Sequence, residues 1–167
     1  MTQLREYLVR SDASADTPEA RFTNYCAANH RLSNSQSLKD LFIIFVLVGK
    51  RNGYFVEFGA CHGLHLSNTL MLELKLGRTG ILAEPARRHR DALRRNRSCS
   101  VGHRCVYASC SELLLLRDTT VDGLGTLRQF ADADHMAKHR ISADEYLVEA
   151  VSLDDFLTFH AAPYEID

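Results

Sequence analysis

Two short apolar runs, each ending in a carboxylate, constrain the fold of this chain more than any other feature. Residues 54–57 end in Glu and lead into the glycine-bearing segment 58–63, and residues 80–84 also end in Glu. Residues 67–76 lie between them and carry leucines at helical spacing, which predicts a helix. A strand, a glycine loop, a helix and a second strand in this order are typical of a parallel sheet with βαβ crossovers.

The rest of the chain continues this alternation. Residues 37–49 predict a buried helix capped by Ser37 and closed by Gly49, although the β-branched residues inside it also suit a strand. Pro85 suits the first position of a helix that runs to about Arg95. Ser67 and Gly77 are the predicted cap and end of helix 67–76. The other predicted elements are strand 104–108, loop 121–125, strand 146–152, helix 153–159 and the start of a strand at 164–167.

The composition is that of an ordinary globular domain. The chain has 167 residues, 46% of them hydrophobic and 25% charged, which predicts a single domain. Residues 1–34 are polar and predict an irregular N-terminal arm, so the domain covers residues 35–167. The net charge of -1 gives no general attraction to nucleic acid. Residues 41–48, the longest apolar run, fall short of a membrane span, and the N-terminus lacks a signal segment, so we expect a cytoplasmic protein.

The glycine loop and the second acid together suggest a ligand. In a βαβ unit, the loop after the first strand lies at the carboxyl edge of the sheet, where ligands bind. Glu84 ends the second strand, where an acid usually accepts hydrogen bonds from ribose hydroxyls. Cys61 replaces the middle glycine that a dinucleotide needs. S-adenosylmethionine, which has a ribose and no phosphate, suits this loop better; a nicotinamide or flavin cofactor, or a simple glycine turn, are the alternatives.

A longer pattern carries a resemblance to a known family. Its pieces follow one another as Ser35-Gln36, Asn52-Gly-Tyr-Phe-Val-Glu-Phe-Gly-Ala60, Gly63, Ser67-Asn-Thr69, Leu72-Glu73, Gly77, Thr79-Gly-Ile-Leu-Ala-Glu-Pro85 and Asn96-Arg97. Together they resemble the FkbM-type methyltransferase family over roughly residues 35–167. The resemblance implies a Rossmann-like parallel sheet of the class I methyltransferase type and the cofactor S-adenosylmethionine. It also implies methylation of a hydroxyl on a sugar or another small molecule.

The resemblance also implies roles for individual residues. The residues expected at the methionine end of the cofactor are Glu57, Gly59, Ala60 and Gly63. Glu84 is expected to hold the ribose and Pro85 to border the adenine. Asn68, inside the cap segment of the following helix, is a further candidate contact to the cofactor. The resemblance identifies no general base.

Three departures from the family pattern bear on the function. His62 stands where the family has Asp or Asn, and Arg78 stands where it often has tryptophan. The sequence ends at Asp167, before the Asp-x-Glu-Gly motif of the family, so only the front portion of the sheet is expected. A truncated, non-catalytic fragment is therefore one alternative function, and a nucleotide-dependent oxidoreductase is another. An exposed sheet edge in such a fragment would favour a homo-oligomer.

Other clusters have simpler interpretations. A zinc site is conceivable from Cys99, His103, Cys105 and Cys110, but their spacing along a strand favours structural thiols. The odd count of five cysteines fits reduced thiols in the cytosol. The arginines of residues 87–97 predict a solvated helix face rather than an RNA site. His62 and His65 are candidates for a general base, with simple exposure in a loop as the alternative.

Overall fold

A computed structural model describes residues 16–133, 135–140 and 142–167, which form two units. The first unit contains the described residues up to Gly53 together with Leu64–Arg78, and the second contains Tyr54–Gly63 and the described residues from Thr79 to Asp167. Helices build the first unit, and strands with short helices build the second, so the protein is α/β. No helix in the described part of the chain is long and apolar enough to cross a membrane.

The first unit begins with a helix where the sequence predicted an irregular arm. Helix α1 (Pro18–Asn29) is capped by Thr17, whose Oγ1 accepts a hydrogen bond from the N–H of Ala20 at 3.2 Å. Pro18 occupies a first-turn position that needs no N–H partner, so the local signals for this helix were present in the sequence. Residues 1–15 of the predicted arm lie outside the described residues.

The next two helices lie inside their predicted ranges, 37–49 and 67–76, but are shorter, and the predicted caps at their N-termini are corrected. Helix α2 (Lys39–Val46) has Ser35 Oγ, not Ser37, as the acceptor of the Lys39 N–H, at 3.1 Å. Helix α3 (Leu70–Leu76) begins later than predicted, with Thr69 at its N-cap position, although Ser67 Oγ accepts from the N–H of Leu70 at 3.2 Å. Gly77 ends α3 as predicted, with a φ of 62° that favours glycine.

The second unit contains the predicted parallel sheet. Its order is β1 (Tyr54–Phe58), β2 (Thr79–Ala83) and β3 (Ser100–Gly102), and all three strands run in parallel. Glu57 pairs with Leu82 in the register of β1 and β2, and the N–H of Gly59 continues the ladder to the carbonyl of Ala83. At the end of the chain, the N–H of Asp167 donates to the carbonyl of Tyr54 at 3.1 Å.

A second, mixed sheet corrects the prediction of one parallel sheet. Its order is β4 (Cys105–Val106), β7 (Ala143–Val151), β5 (Leu113–Thr119) and β6 (Thr126–Leu127). Strand β4 pairs with β7 in parallel, whereas β5 pairs with β7 and β6 in antiparallel fashion. The predicted strand 104–108 was wrong as the third strand of the parallel sheet. That place is taken by β3, which ends at Gly102 and pairs with β2, whereas β4 pairs with β7 in the mixed sheet.

Two helices cover the faces of the parallel sheet. Helix α5 (Leu153–Phe159), with the bounds predicted from the sequence, places Phe156 against Ile81, Ala83 and Val151. On the opposite face, helix α4 (Arg90–Asn96) is preceded by a 3₁₀ turn at Arg87–His89. The predicted start of this helix at Pro85 is therefore wrong, and Pro85 lies in the irregular link between β2 and the turn.

We expect Gly80→Ala to weaken the parallel sheet. A Cβ at position 80 would clash with the backbone carbonyl of Phe55 on β1, so the strands would have to separate. Overpacking of this kind costs about 1–3 kcal/mol, measurable by urea unfolding followed by circular dichroism. Gly125→Ala is the matched control, since its Cβ would meet nothing closer than 3.8 Å. Equal stabilities of the two variants would contradict the close approach of β1 and β2.

Candidate functional site

The loop Gly59–Gly63 leaves β1 at the carboxyl edge of the parallel sheet. Gly59 has a φ of 69° and Gly63 a φ of 81°, conformations that side chains disfavour. A Cβ on Gly63 would lie 2.7 Å from Cγ of Arg97 and from Cδ1 of Leu93, both in or after α4. Glycine is therefore required at position 63 by backbone shape and by close packing. Ala60, between the glycines, is buried.

Glu84 reaches this loop from the neighbouring strand. Its Oε2 accepts a hydrogen bond from the N–H of Cys61 at 2.7 Å, and its Oε1 accepts one from the N–H of Ala86 at 2.8 Å. The side chain is buried, with the residue only 5% exposed. Burial raises the pKa of the Glu84 carboxyl, while the two backbone donors act in the opposite direction. The carboxylate thus links the glycine loop to the end of β2.

Glu57 holds the same loop indirectly, through the side chain of Arg97. Its Oε2 lies 3.9 Å from Nη1 of Arg97, and both side chains are almost completely buried. The same Nη1 donates to the carbonyl of Gly63 at 3.2 Å. Asn96, beside Arg97, donates from Nδ2 to the carbonyl of His62 at 2.7 Å. The end of α4 therefore fixes the second half of the loop. Glu57 balances the positive charge of Arg97, which makes one of these contacts.

A second loop, between β5 and β6, contacts the first. Asp122 in this loop accepts from the guanidinium of Arg88, which also donates to the carbonyl of Thr119. Its Oδ2 lies 3.4 Å from Nε2 of His62, and its Oδ1 lies 3.7 Å from Nε2 of His89. Burial, then the charge of Arg88, lower the pKa of His89. One carboxylate therefore joins the glycine loop to the turn after β2.

The thiol at the centre of the loop is not suited to act as a nucleophile. Burial, followed by the charge of Glu84, raises the pKa of Cys61 to about 11. A thiolate is the reactive form of cysteine, and at neutral pH this side chain stays protonated. None of the five cysteines, all of which lie in the described part of the chain, forms a disulfide. Among the described residues, no group of three or more His, Cys, Asp or Glu side chains is placed to hold a metal ion.

The structure brings most of the predicted site residues together. Those that surround the loop or its link to β2 are Glu57, Gly59, Ala60, Gly63, Glu84 and Pro85, all in the second unit. Glu57 and Glu84 lie on one face of the sheet, since Glu57 pairs with Leu82 and side chains two residues apart share a face. Asn68 belongs to the first unit, where its Oδ1 accepts a hydrogen bond from Oγ of Ser35 at 2.9 Å.

Several residues of the site were not assigned a role from the sequence. Arg97 belongs to the Asn96-Arg97 pair of the family pattern, but nothing local showed that its charge is balanced by Glu57. Asp122 was expected only as part of a loop, and its contacts with Arg88 and His62 are long-range. The arginine-rich segment was predicted to be a solvated face, and Arg97 is a buried exception to that prediction.

Replacing Arg97 by methionine should destabilise the second unit. The variant leaves the Glu57 carboxylate buried without its cation and the Gly63 carbonyl without this donor. Removing one partner of a buried ion pair costs about 3–5 kcal/mol, which urea unfolding would detect. Arg95→Met, two residues earlier on the exposed side of α4, is the control and should change stability by less than about 0.5 kcal/mol. A similar, small effect of both substitutions would contradict the anchoring role.

Comparisons with known proteins do not add a family to this description. A scan of protein-family models, a search of curated proteins and a search of solved structures each found no match to this chain. The geometry of the glycine loop and of its two acids is therefore the basis for any functional proposal.

Proposed function

We propose that the second unit binds S-adenosylmethionine at the carboxyl ends of β1 and β2. In this proposal the chain has a Rossmann-like, class I methyltransferase fold of the FkbM type and acts on a hydroxyl of a sugar or another small molecule. The observation that carries the proposal is the position of Glu84. Its Oε2 lies 2.7 Å from the backbone nitrogen of Cys61. The acid that follows β2 and the glycine loop that follows β1 are therefore in direct contact.

The residues present fit the ribose of such a cofactor. A carboxylate has about four acceptor positions, and the N–H groups of Cys61 and Ala86 fill one on each oxygen of Glu84. The remaining positions can accept from the two ribose hydroxyls. When bound, S-adenosylmethionine supplies an electrophilic methyl group, and the task of the chain is to bind and orient it. Gly59 and Gly63 allow the backbone of the loop to approach the amino-acid end.

The centre of the loop favours this cofactor over a dinucleotide. A pyrophosphate needs a glycine in the middle of the loop so that the backbone can approach closely. Cys61 occupies that position with a φ of 48°, and the backbone of Gly123 in the second loop partly opposes the rise in the pKa of its thiol. A side chain at this position would keep a pyrophosphate further from the loop backbone than glycine would. An oxidoreductase is the weaker candidate for this reason.

Glu84→Gln should abolish most of the affinity for S-adenosylmethionine. The amide leaves one acceptor oxygen for three or four donors, and lost hydrogen bonds to a charged group cost about 2–3 kcal/mol in total, or at least about 30-fold in Kd. Isothermal titration calorimetry measures this directly. Glu165→Gln, at an exposed position, is the matched control and should bind like the wild type. Binding of NAD alone would favour the oxidoreductase, and binding of neither ligand would favour the non-catalytic fragment.

The pH dependence of binding should follow Glu84. Only the carboxylate form offers all its oxygens as acceptors, so affinity should fall as the pH drops through the pKa of this group. Burial raises that pKa above its ordinary value of 4.5, so the loss should begin at a higher pH than for an exposed glutamate. Calorimetric titrations between pH 8 and pH 5 test this expectation. An affinity that stays constant while the Glu84 carboxyl itself becomes protonated, as followed by NMR, would exclude Glu84 as the ribose acceptor.

A further inference from the structure

We propose that Tyr146 and Asp118, on the mixed sheet, are positioning residues that hold Glu84 in the orientation needed for the ribose. The inference rests on the proposed function for its ligand, although the orientation of Glu84 can be tested without a ligand. Neither residue belongs to the parallel sheet or to the glycine loop. Both act on the short turn that follows β2, which begins at Glu84 and continues into the 3₁₀ turn Arg87–His89.

The hydroxyl group of Tyr146 makes two hydrogen bonds. Its O–H donates to Oδ2 of Asp118 at 2.7 Å, and its oxygen accepts from the N–H of Arg87 at 2.8 Å. The guanidinium of Arg87 also lies 4.3 Å from the centre of the Tyr146 ring. Burial is the main cause that raises the pKa of Tyr146 to about 12, so the phenol keeps its proton and stays a donor to Asp118. The turn is therefore attached to β7 and β5 at a defined point.

The hydrogen bond from the Arg87 N–H to Tyr146 lies one residue after the Ala86 N–H, which orients the Glu84 carboxylate. Ala86 precedes Arg87, and its N–H donates to Oε1 of Glu84. The Ala86 side chain is buried against the inner face of the mixed sheet, in a cluster with Leu114, Leu116, Leu127, Val148 and Ala150. A shift of the Arg87 backbone would therefore move the Ala86 N–H and, with it, the Glu84 carboxylate. The mixed sheet, absent from the sequence prediction, sets the geometry of the site.

Asp118 also acts on Glu84 through its charge. Asp118 is buried, and its charge adds to the burial that raises the pKa of Glu84, whereas the guanidinium of Arg88 lowers it. Other titratable groups next to Glu84 are the thiols of Cys61 and Cys105, whose own pKa values are raised, and His103. His103 Nδ1 lies 3.3 Å from the carbonyl oxygen of Glu84, and burial lowers the pKa of its imidazole. The two positioning residues therefore differ in their expected effects. Asp118→Asn removes a charge, whereas Tyr146→Phe removes only the hydrogen bonds of the phenol.

The test compares three variants of the full chain. Tyr146→Phe should weaken S-adenosylmethionine binding about tenfold, since one hydrogen bond to the turn is worth about that much. Tyr107→Phe is the matched control. Its hydroxyl accepts a hydrogen bond from Nε2 of Gln129 at 2.7 Å, and its ring, which packs against the same cluster as Tyr146, is kept in the variant. The control should lose a similar amount of thermal stability and none of the affinity. Asp118→Asn should shift the titration of the Glu84 carboxyl, followed by carbon-detected NMR without ligand, to lower pH.

Two results would overturn the inference. One is Tyr146→Phe binding as tightly as Tyr107→Phe, and the other is Asp118→Asn leaving the Glu84 titration where it is in the wild type. Failure of the wild type to bind S-adenosylmethionine would instead refute the proposed function. In that case the Glu84 titration in Asp118→Asn still decides the inference, since it needs no ligand. If Tyr146→Phe does not fold, the Asp118→Asn titration decides alone.

Discussion

The hydrogen bond from the Cys61 N–H to the Glu84 carboxylate is the contact on which the rest of the site depends. It joins the loop after β1 to the end of β2, with 2.7 Å between the backbone nitrogen of Cys61 and Oε2 of Glu84. A carboxylate buried to this degree needs donors that do not have to be reoriented, and the backbone supplies two of them. The loop gains a fixed shape from this contact, and the charge of Glu84 gains partners inside the protein.

The two acids of the site, Glu84 and Glu57, both hold the glycine loop in place. Glu84 holds the loop directly, and Glu57 holds it through Arg97, which donates to the carbonyl of Gly63. Glu84 thus fixes the first half of the loop by accepting from the N–H of Cys61, and Arg97 fixes the second half by donating to the carbonyl of Gly63. A binding site whose backbone is fixed before the ligand arrives loses less conformational entropy on binding. In the proposed function, such a loop would hold the ribose and the amino-acid end of the cofactor with little reordering of the backbone.

The mixed sheet supports the site from outside the parallel sheet. Strands β5 and β7 carry Asp118 and Tyr146 to the turn after β2, and the loop between β5 and β6 carries Asp122 to Arg88 and His62. The residues that bind a ligand in the proposed function and the residues that keep them in place therefore come from different sheets. Substitutions in β5 or β7 should change ligand binding without touching the ligand.

The sequence by itself determined β1, β2, α5 and the end of α3 at Gly77, because apolar runs, caps and glycines act within a few residues of where they stand. It also located Gly59, Gly63 and Glu84, since a loop between a strand and a helix has a local signature. Strand β5 was missed because Leu113–Leu116 shows no alternation in sequence, and only pairing with β7 decides that Leu114 and Leu116 are buried. The pairing of Glu57 with Arg97 and the contact of Tyr146 with Asp118 were decided by the tertiary structure alone. Charges and phenols far apart in the chain become partners only when the packing of the sheets removes water from between them.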